Sequence, residues 1–175
     1  MDVKSADSLV YVVGKTYDEL GGSHYLGLQN MIGNNVPVVR PESGKAVMEA
    51  ICQAIDNRLI ASCHDCSEGG IGAAVAEMAF SGGLGISISL SAVPGSTEID
   101  RYDTILFSES NSRFIVEVDP ECQDQFEEVM SNVPFGLLGT TTSDPTLKIT
   151  GLSGQTILQT EIAGLKASWQ KTFDW

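Results

Sequence analysis

The amino-acid sequence predicts one α/β or α+β domain, built on a mixed sheet with helices packed against it. Three observations carry that expectation. Strand-like and helix-like segments interleave along the whole chain. No internal repeat, linker-like stretch or change of composition divides it. The chain of 175 residues, 42% hydrophobic and 19% charged, has the size and composition of a folded domain with a sizeable core.

Taken in order, Leu9-Val10-Tyr11-Val12-Val13 is a continuous apolar, β-branched run closed by Gly14, which reads as a buried strand. Gly21-Gly22-Ser23-His24-Tyr25 reads as a flexible turn rich in donors. Val36 to Arg40 is extended, because Pro37 and Pro41 stand too close together for a helix. Between Ser43 and Asn57, the residues Val47, Ala50, Ile51, Ala54 and Ile55 recur at three- and four-residue steps, so this segment is an amphipathic helix with Ser43 placed as its N-cap. Leu59 to Cys63 reads as a second buried strand. The next helix carries Ile71, Val75, Met78 and Ala79 on one face and stops at Gly82-Gly83. Leu84 to Leu90 alternates with period two, as a half-buried strand does. A short helix is expected between Ile99 and Leu106. Arg113 to Val118 alternates again, with Phe114, Val116 and Val118 on one side, and Pro120 opens a helix carrying Phe126, Val129 and Met130. Leu137 to Gly139, Leu147 to Ile149 and Gln155 to Gln159 read as late strands. The tail spaces Ile162, Leu165, Trp169 and Phe173 as a helix that docks on the core.

The charge is lopsided. Ten Lys and Arg against 23 Asp and Glu give −13. A chain this acidic lacks the basic face that nucleic-acid binding requires, and it has no attraction to an anionic membrane. An anionic small molecule is still admissible if backbone N–H groups, a metal ion or another domain's arginines hold it. No apolar run reaches the about 20 residues of a membrane span. Met1 to Asp7 lacks the basic-then-apolar order of a signal peptide. The four cysteines, Cys52, Cys63, Cys66 and Cys122, make no disulfide framework for a chain of this size, so a reducing, cytoplasmic setting is expected.

The strongest local signal is Asp65-Cys66-Ser67-Glu68-Gly69-Gly70, set between a predicted strand and an apolar helix. A glycine turn at a helix start presents N–H groups to an anion. Gly69 and Gly70 let a phosphate approach the backbone, Ser67 offers a hydroxyl, and Asp65 supplies a hard oxygen suited to Mg²⁺ held together with phosphates. A serine-capped helix with two turn glycines would use the same residues, and the turn alone leaves both readings open. Cys63-His64-Asp65-Cys66 contains a C-x-x-C but no second one, so four zinc ligands are not supplied by spacing. Asp65 stands where a nucleophilic serine elbow needs glycine, and no Walker A loop occurs. A further polar cluster, Ser108-Glu109-Ser110-Asn111-Ser112-Arg113, precedes a predicted strand, where α/β proteins place binding groups.

Together and in this order, these clusters resemble the phosphoribosylformylglycinamidine synthases. The stretches that carry the resemblance are Asp18-Glu19-Leu20-Gly21-Gly22-Ser23-His24-Tyr25, His64 to Gly70 with Ala74 to Ala79, and Phe107 to Phe114. The resemblance implies a three-layer α/β/α, α+β domain with a mixed sheet and partly ferredoxin-like topology. It also implies that residues 1–175 are a single C-terminal domain of a larger synthetase, one that makes formylglycinamidine ribonucleotide from formylglycinamide ribonucleotide, ATP and glutamine-derived ammonia. Carried over by motif, Asp65 becomes a Mg²⁺ ligand at an auxiliary ATP/ADP site and Ser67 contacts the nucleotide, which agrees with the close nucleotide approach read at Gly69 and Gly70. Glu109, Ser110 and Asn111 match a substrate-binding segment of the family's other half. Glu68 departs from the aspartate of many members. The partners implied are the remaining domains, a glutaminase subunit and a small accessory subunit. The family's catalytic histidines have no counterpart here, so the domain alone is expected to be inactive. Selenophosphate synthetases, thiamine monophosphate kinases and hydrogenase maturation factors share a D-x-[ST]-x-G turn and form the nearest alternative, with a non-catalytic assembly domain as another.

Overall fold

The first strand, β1 (Leu9–Val13), is apolar throughout because it lies inside the sheet and is covered on both faces. Val10 and Val12 enter one core, while Tyr11 and Val13 enter the other. The computed structural model describes residues 1–171. Among these the other strands are β2 (Ser62–Asp65), β3 (Gly85–Ser89), β4 (Phe114–Val118), β5 (Phe135–Thr142), β6 (Thr146–Thr150) and β7 (Thr156–Glu161). They form one seven-stranded sheet in the order β2-β4-β1-β5-β3-β6-β7. Only the β3–β6 pair is parallel, so the sheet is mixed.

The helices are α1 (His24–Gly27), α2 (Pro41–Asp56), α3 (Gly70–Gly82), α4 (Tyr102–Phe107), α5 (Gln123–Met130) and α6 (Ile162–Gln170). The α2 residues Val47 and Ile51 and the α5 residues Phe126 and Met130 pack against Tyr11 and Val116 on one face. The α3 residues Ile71, Val75 and Met78 pack with Ile86, Ile88 and Ile115 on the other, joined by Ile105 of α4 and Ile162 of α6. The result is α+β in three layers, helices on both sides of a sheet. The units β1–α2–β2 and β4–α5–β5 give the strand order β2-β4-β1-β5, which is ferredoxin-like. The stretch α3–β3–α4 is inserted between them, and β3, β6 and β7 extend the sheet.

Two boundaries differ from the periodicity. Helix α2 starts at Pro41 rather than at a Ser43 cap: proline presets φ and needs no N–H partner in the first turn. Strand β2 starts three residues later than expected and lies at the sheet edge, half-covered. Leu59 and Ile60 are outside it, because α2 closes with Arg58 at φ +60°, Arg58 N–H donating to Ile55 O and Leu59 N–H to Ala54 O, both at 2.9 Å. Leu59 is the apolar residue that such a helix end buries. At the other end of the chain, the Trp169 ring tilts against Phe80 at 5.9 Å, and Phe173 lies outside the described residues.

The second face of β4 carries a charge. Glu117 is fully buried, and its carboxylate accepts from Lys4 N–H at 2.8 Å, Ser5 N–H at 3.0 Å and Ser62 Oγ at 3.0 Å. It ties the N-terminal segment to the sheet edge. Glu117→Gln places an amide N–H₂ against these donors, and a loss of about 1–2 kcal/mol is expected in urea denaturation.

Candidate functional site

The turn between β2 and α3 has two successive left-handed residues, Gly69 at φ +76° and Gly70 at φ +59°. Only glycine adopts this conformation without strain. At Gly70 the backbone comes so close to the 106–108 segment that a Cβ would sit 2.4 Å from Ser108 O. Cys66 N–H donates to Arg113 O at 2.9 Å from the same side. These approaches press the 65–70 turn onto the 108–113 loop, about 40 residues later.

The third cluster joins them. Glu109 Oε1 accepts from Gly69 N–H at 3.0 Å and from His24 N–H at 3.1 Å. All three polar clusters singled out in the sequence therefore meet at one carboxylate. The N–H at the α3 turn, predicted as an anion seat, is engaged by Glu109 itself. The Gly21–Tyr25 stretch is less of a flexible turn than its composition suggests, because Ser23 caps α1 by accepting from Leu26 N–H at 3.3 Å.

Beside this junction lies an open cleft of about 410 Å³, lined by Asp65, Ser67, Glu68, Glu109 and Asn111 among others. Ser67 donates its hydroxyl to Asp65 Oδ2 rather than capping α3. That bond, with help from His64, holds the Asp65 carboxyl below the usual aspartate range, so it is ionised at neutral pH. Three predicted residues lie outside its lining. Ser110 is buried, its Oγ accepting from Tyr17 N–H at 3.1 Å, and Gly70 is buried under Ser108. Gly69 opens on an apolar hollow of about 440 Å³ next door, walled by Tyr25, Gly72, Phe107 and Leu165 among others.

The loop stands on Arg113. Its side chain is 1% exposed, with Nε donating to Ser110 O and Nη1 to Thr16 Oγ1, both at 2.9 Å, and Nη2 donating to Ser108 O. Burial lowers its pKa. The rim is held by Glu19, also buried, which accepts from Arg40 Nη2 at 2.8 Å, while the Arg40 guanidinium lies 3.5 Å over the Tyr17 ring. Behind Asp65, His64 Nε2 is 2.7 Å from Glu77 Oε2. Arg113 belongs to the 108–113 cluster whose composition suggests binding groups, but it is the buried support of the loop, and Glu19 and Glu77 join the site without any role expected from their spacing. The available signal was a lone carboxylate at Glu77 on an otherwise apolar helix. Cys63 and Cys66 face inward, and burial pushes both thiols up to about 11. Among the described residues no three His, Cys, Asp or Glu side chains converge as a closed metal cage.

A family model described as AIR synthase related protein, C-terminal domain, matches residues 5–151. The chain belongs to this family. A curated relative, the phosphoribosylformylglycinamidine synthase subunit PurL of Alkaliphilus metalliredigens, is 32% identical over 173 residues, covering 97% of this chain and 22% of the relative. The chain thus spans about a fifth of the curated AIR-synthase-related proteins it matches. Among solved structures, Thermotoga maritima PurL complexed with FGAR superposes with a TM-score of 0.81 at 19% identity, covering 94% of this chain and 28% of that one. Escherichia coli HypE, a hydrogenase maturation protein, superposes less well, with a TM-score of 0.64 at 23% identity over 89% of this chain and 50% of that one. Both share the fold of this AIR-synthase-related domain.

Proposed function

We propose that this chain is the C-terminal domain of a phosphoribosylformylglycinamidine synthase, and that it supplies one wall of a Mg²⁺-nucleotide site. The larger enzyme is then an ATP-dependent ligase of purine biosynthesis in the cytoplasm. It joins ammonia, drawn from glutamine by a glutaminase subunit, to formylglycinamide ribonucleotide. The observation that carries the reading is the convergence of residues 23–25, 65–70 and 108–113 at Glu109. The curated relatives bear this enzyme's name, and the T. maritima relative is known with ATP and with ADP.

The charge of the cleft supports a cation-borne ligand. Its exposed ionic groups are the carboxylates of Asp65 and Glu68, with Glu109 beside them, and they repel bare phosphates. Mg²⁺ is bound through one or two carboxylates plus substrate phosphates, and ionised Asp65 fits that role. The bound ion would neutralise phosphate charge, with Ser67 and Asn111 orienting the nucleotide, Gly69 holding Glu109 in place through its N–H, and Gly70 and Ser110 supporting the walls. The cleft contains no convergent acid–base set, so the isolated chain turns nothing over, and ATP-dependent turnover by these 175 residues would overturn that part. Leu28, Ile32, Val36, Val39 and Met48 are exposed, Met48 in the lining of the cleft, and they give the remaining domains and the small accessory subunit apolar surface to cover.

The test is calorimetric titration with Mg²⁺-ADP, on this chain and on a longer chain that includes the preceding domain. Binding is expected, with Asp65→Ala weakening it at least tenfold. Equal binding by Asp65→Ala, or no binding by either length of chain, overturns the reading.

A further inference from the structure

The edge strand β2 leaves Asp65 at its exposed end, where a carboxylate on a free strand terminus has several rotamers. Two contacts limit them, the Ser67 hydroxyl on Oδ2 and the His64 ring on Oδ1. His64 precedes Asp65, and its ring is bracketed by two carboxylates, with Glu77 Oε2 2.7 Å from Nε2 and Asp65 Oδ1 3.4 Å from Nδ1. Glu77 projects from the middle of α3, a helix otherwise packed into the core through Ile71, Val75 and Met78. The fixed end of the chain of contacts is therefore the helix, and the free end is Asp65 with Ser67. We propose that Glu77 and His64 are positioning residues for the cation-binding carboxylate of Asp65. Glu77 fixes the plane of the His64 ring, and the ring closes one side of Asp65 while the Ser67 hydroxyl closes the other. Outer partners of this kind typically change metal affinity 10–100-fold when removed. The inference rests on the Mg²⁺-nucleotide reading above, because it assigns the network to that site.

Two measurements on Glu77→Ala test it, with Glu77→Gln as the conservative variant. The first is titration with ADP in the presence and absence of Mg²⁺. Glu77→Ala is expected to lose about tenfold in affinity for Mg²⁺-ADP and nothing for metal-free ADP. Glu77→Gln, which still reaches the ring, keeps most of the affinity. An equal loss with and without Mg²⁺, or no loss, overturns the inference. The second is a crystal structure of Glu77→Ala without ligand. The His64 ring is expected to turn away from Asp65, and an unmoved ring overturns the inference even if the variant binds weakly. A wild-type chain that ignores Mg²⁺-ADP in both lengths overturns the nucleotide reading instead, while the ring orientation still decides whether Glu77 positions Asp65.

Discussion

Arg113→Ala is expected to destabilise the fold by about 3–5 kcal/mol, the largest effect of any single change near the site. The side chain is almost entirely buried, and it donates to two main-chain carbonyls and one hydroxyl. Alanine leaves Ser108 O, Ser110 O and Thr16 Oγ1 short of a donor, at about 1–3 kcal/mol for each group left unsatisfied, and opens a cavity beneath the loop. Water entering that cavity recovers part of the loss. In a chain of this size the melting temperature should fall by roughly 10 °C. Arg113→Met separates bonding from packing, since methionine restores volume without donors. It should recover only a minor part of the stability lost in urea denaturation, and full recovery would show that the hydrogen bonds contribute little. Arg113→Lys keeps the charge but not the fork of N–H groups, so it is expected to fall between the two.

Gly70→Ala is expected to cost about 3 kcal/mol, for two separable reasons. The φ of +59° costs an L-residue roughly 1–2 kcal/mol. The added Cβ would also lie 2.4 Å from Ser108 O and 2.8 Å from Leu106 O, so α3 and the 106–108 segment must move apart. Gly83 provides the internal control. It ends α3 at φ +73°, but a Cβ there meets nothing within 4 Å. Gly83→Ala should therefore show the conformational penalty alone, about 1 kcal/mol. The difference between the two variants in urea denaturation measures the close approach that joins the 65–70 turn to the 108–113 loop. Equal losses would mean that the contact is slack. If the joint also builds the nucleotide wall, Gly70→Ala weakens Mg²⁺-ADP binding and Gly83→Ala leaves it unchanged.

The elements most legible in the sequence are those whose periodicity is read on both faces. The all-apolar run at β1 implied burial on two sides, and two cores indeed flank it. The stripe Val47, Ala50, Ile51 and Ala54 on α2 is the face that packs on the sheet. Misplaced boundaries had local causes. Leu59 and Ile60 are apolar and look like strand, but Leu59 closes α2 instead, folded back on the helix after the left-handed Arg58, and β2 starts only at Ser62. Ser43 looks like a cap, yet Pro41 starts the helix two residues earlier.

By itself, the sequence determined a mixed domain of interleaved strands and helices, α/β or α+β, the acidic composition and the identity of the three polar clusters, because each is written in local spacing and composition. Only the tertiary structure decided what those clusters do to one another. Strand order puts β2 beside β4, and a glycine without a side chain lets the 65–70 turn touch the 106–108 backbone. The same packing turns Ser110 inward, buries Arg113 as the support of the loop, and seats Glu109 on the N–H groups of Gly69 and His24. No local pattern encodes these facts. Alternation along a strand specifies which face a side chain takes, while the partner it meets depends on which strand is paired next to it, and that is a choice made across about fifty residues for β2 and β4 and more than a hundred for β1 and β4.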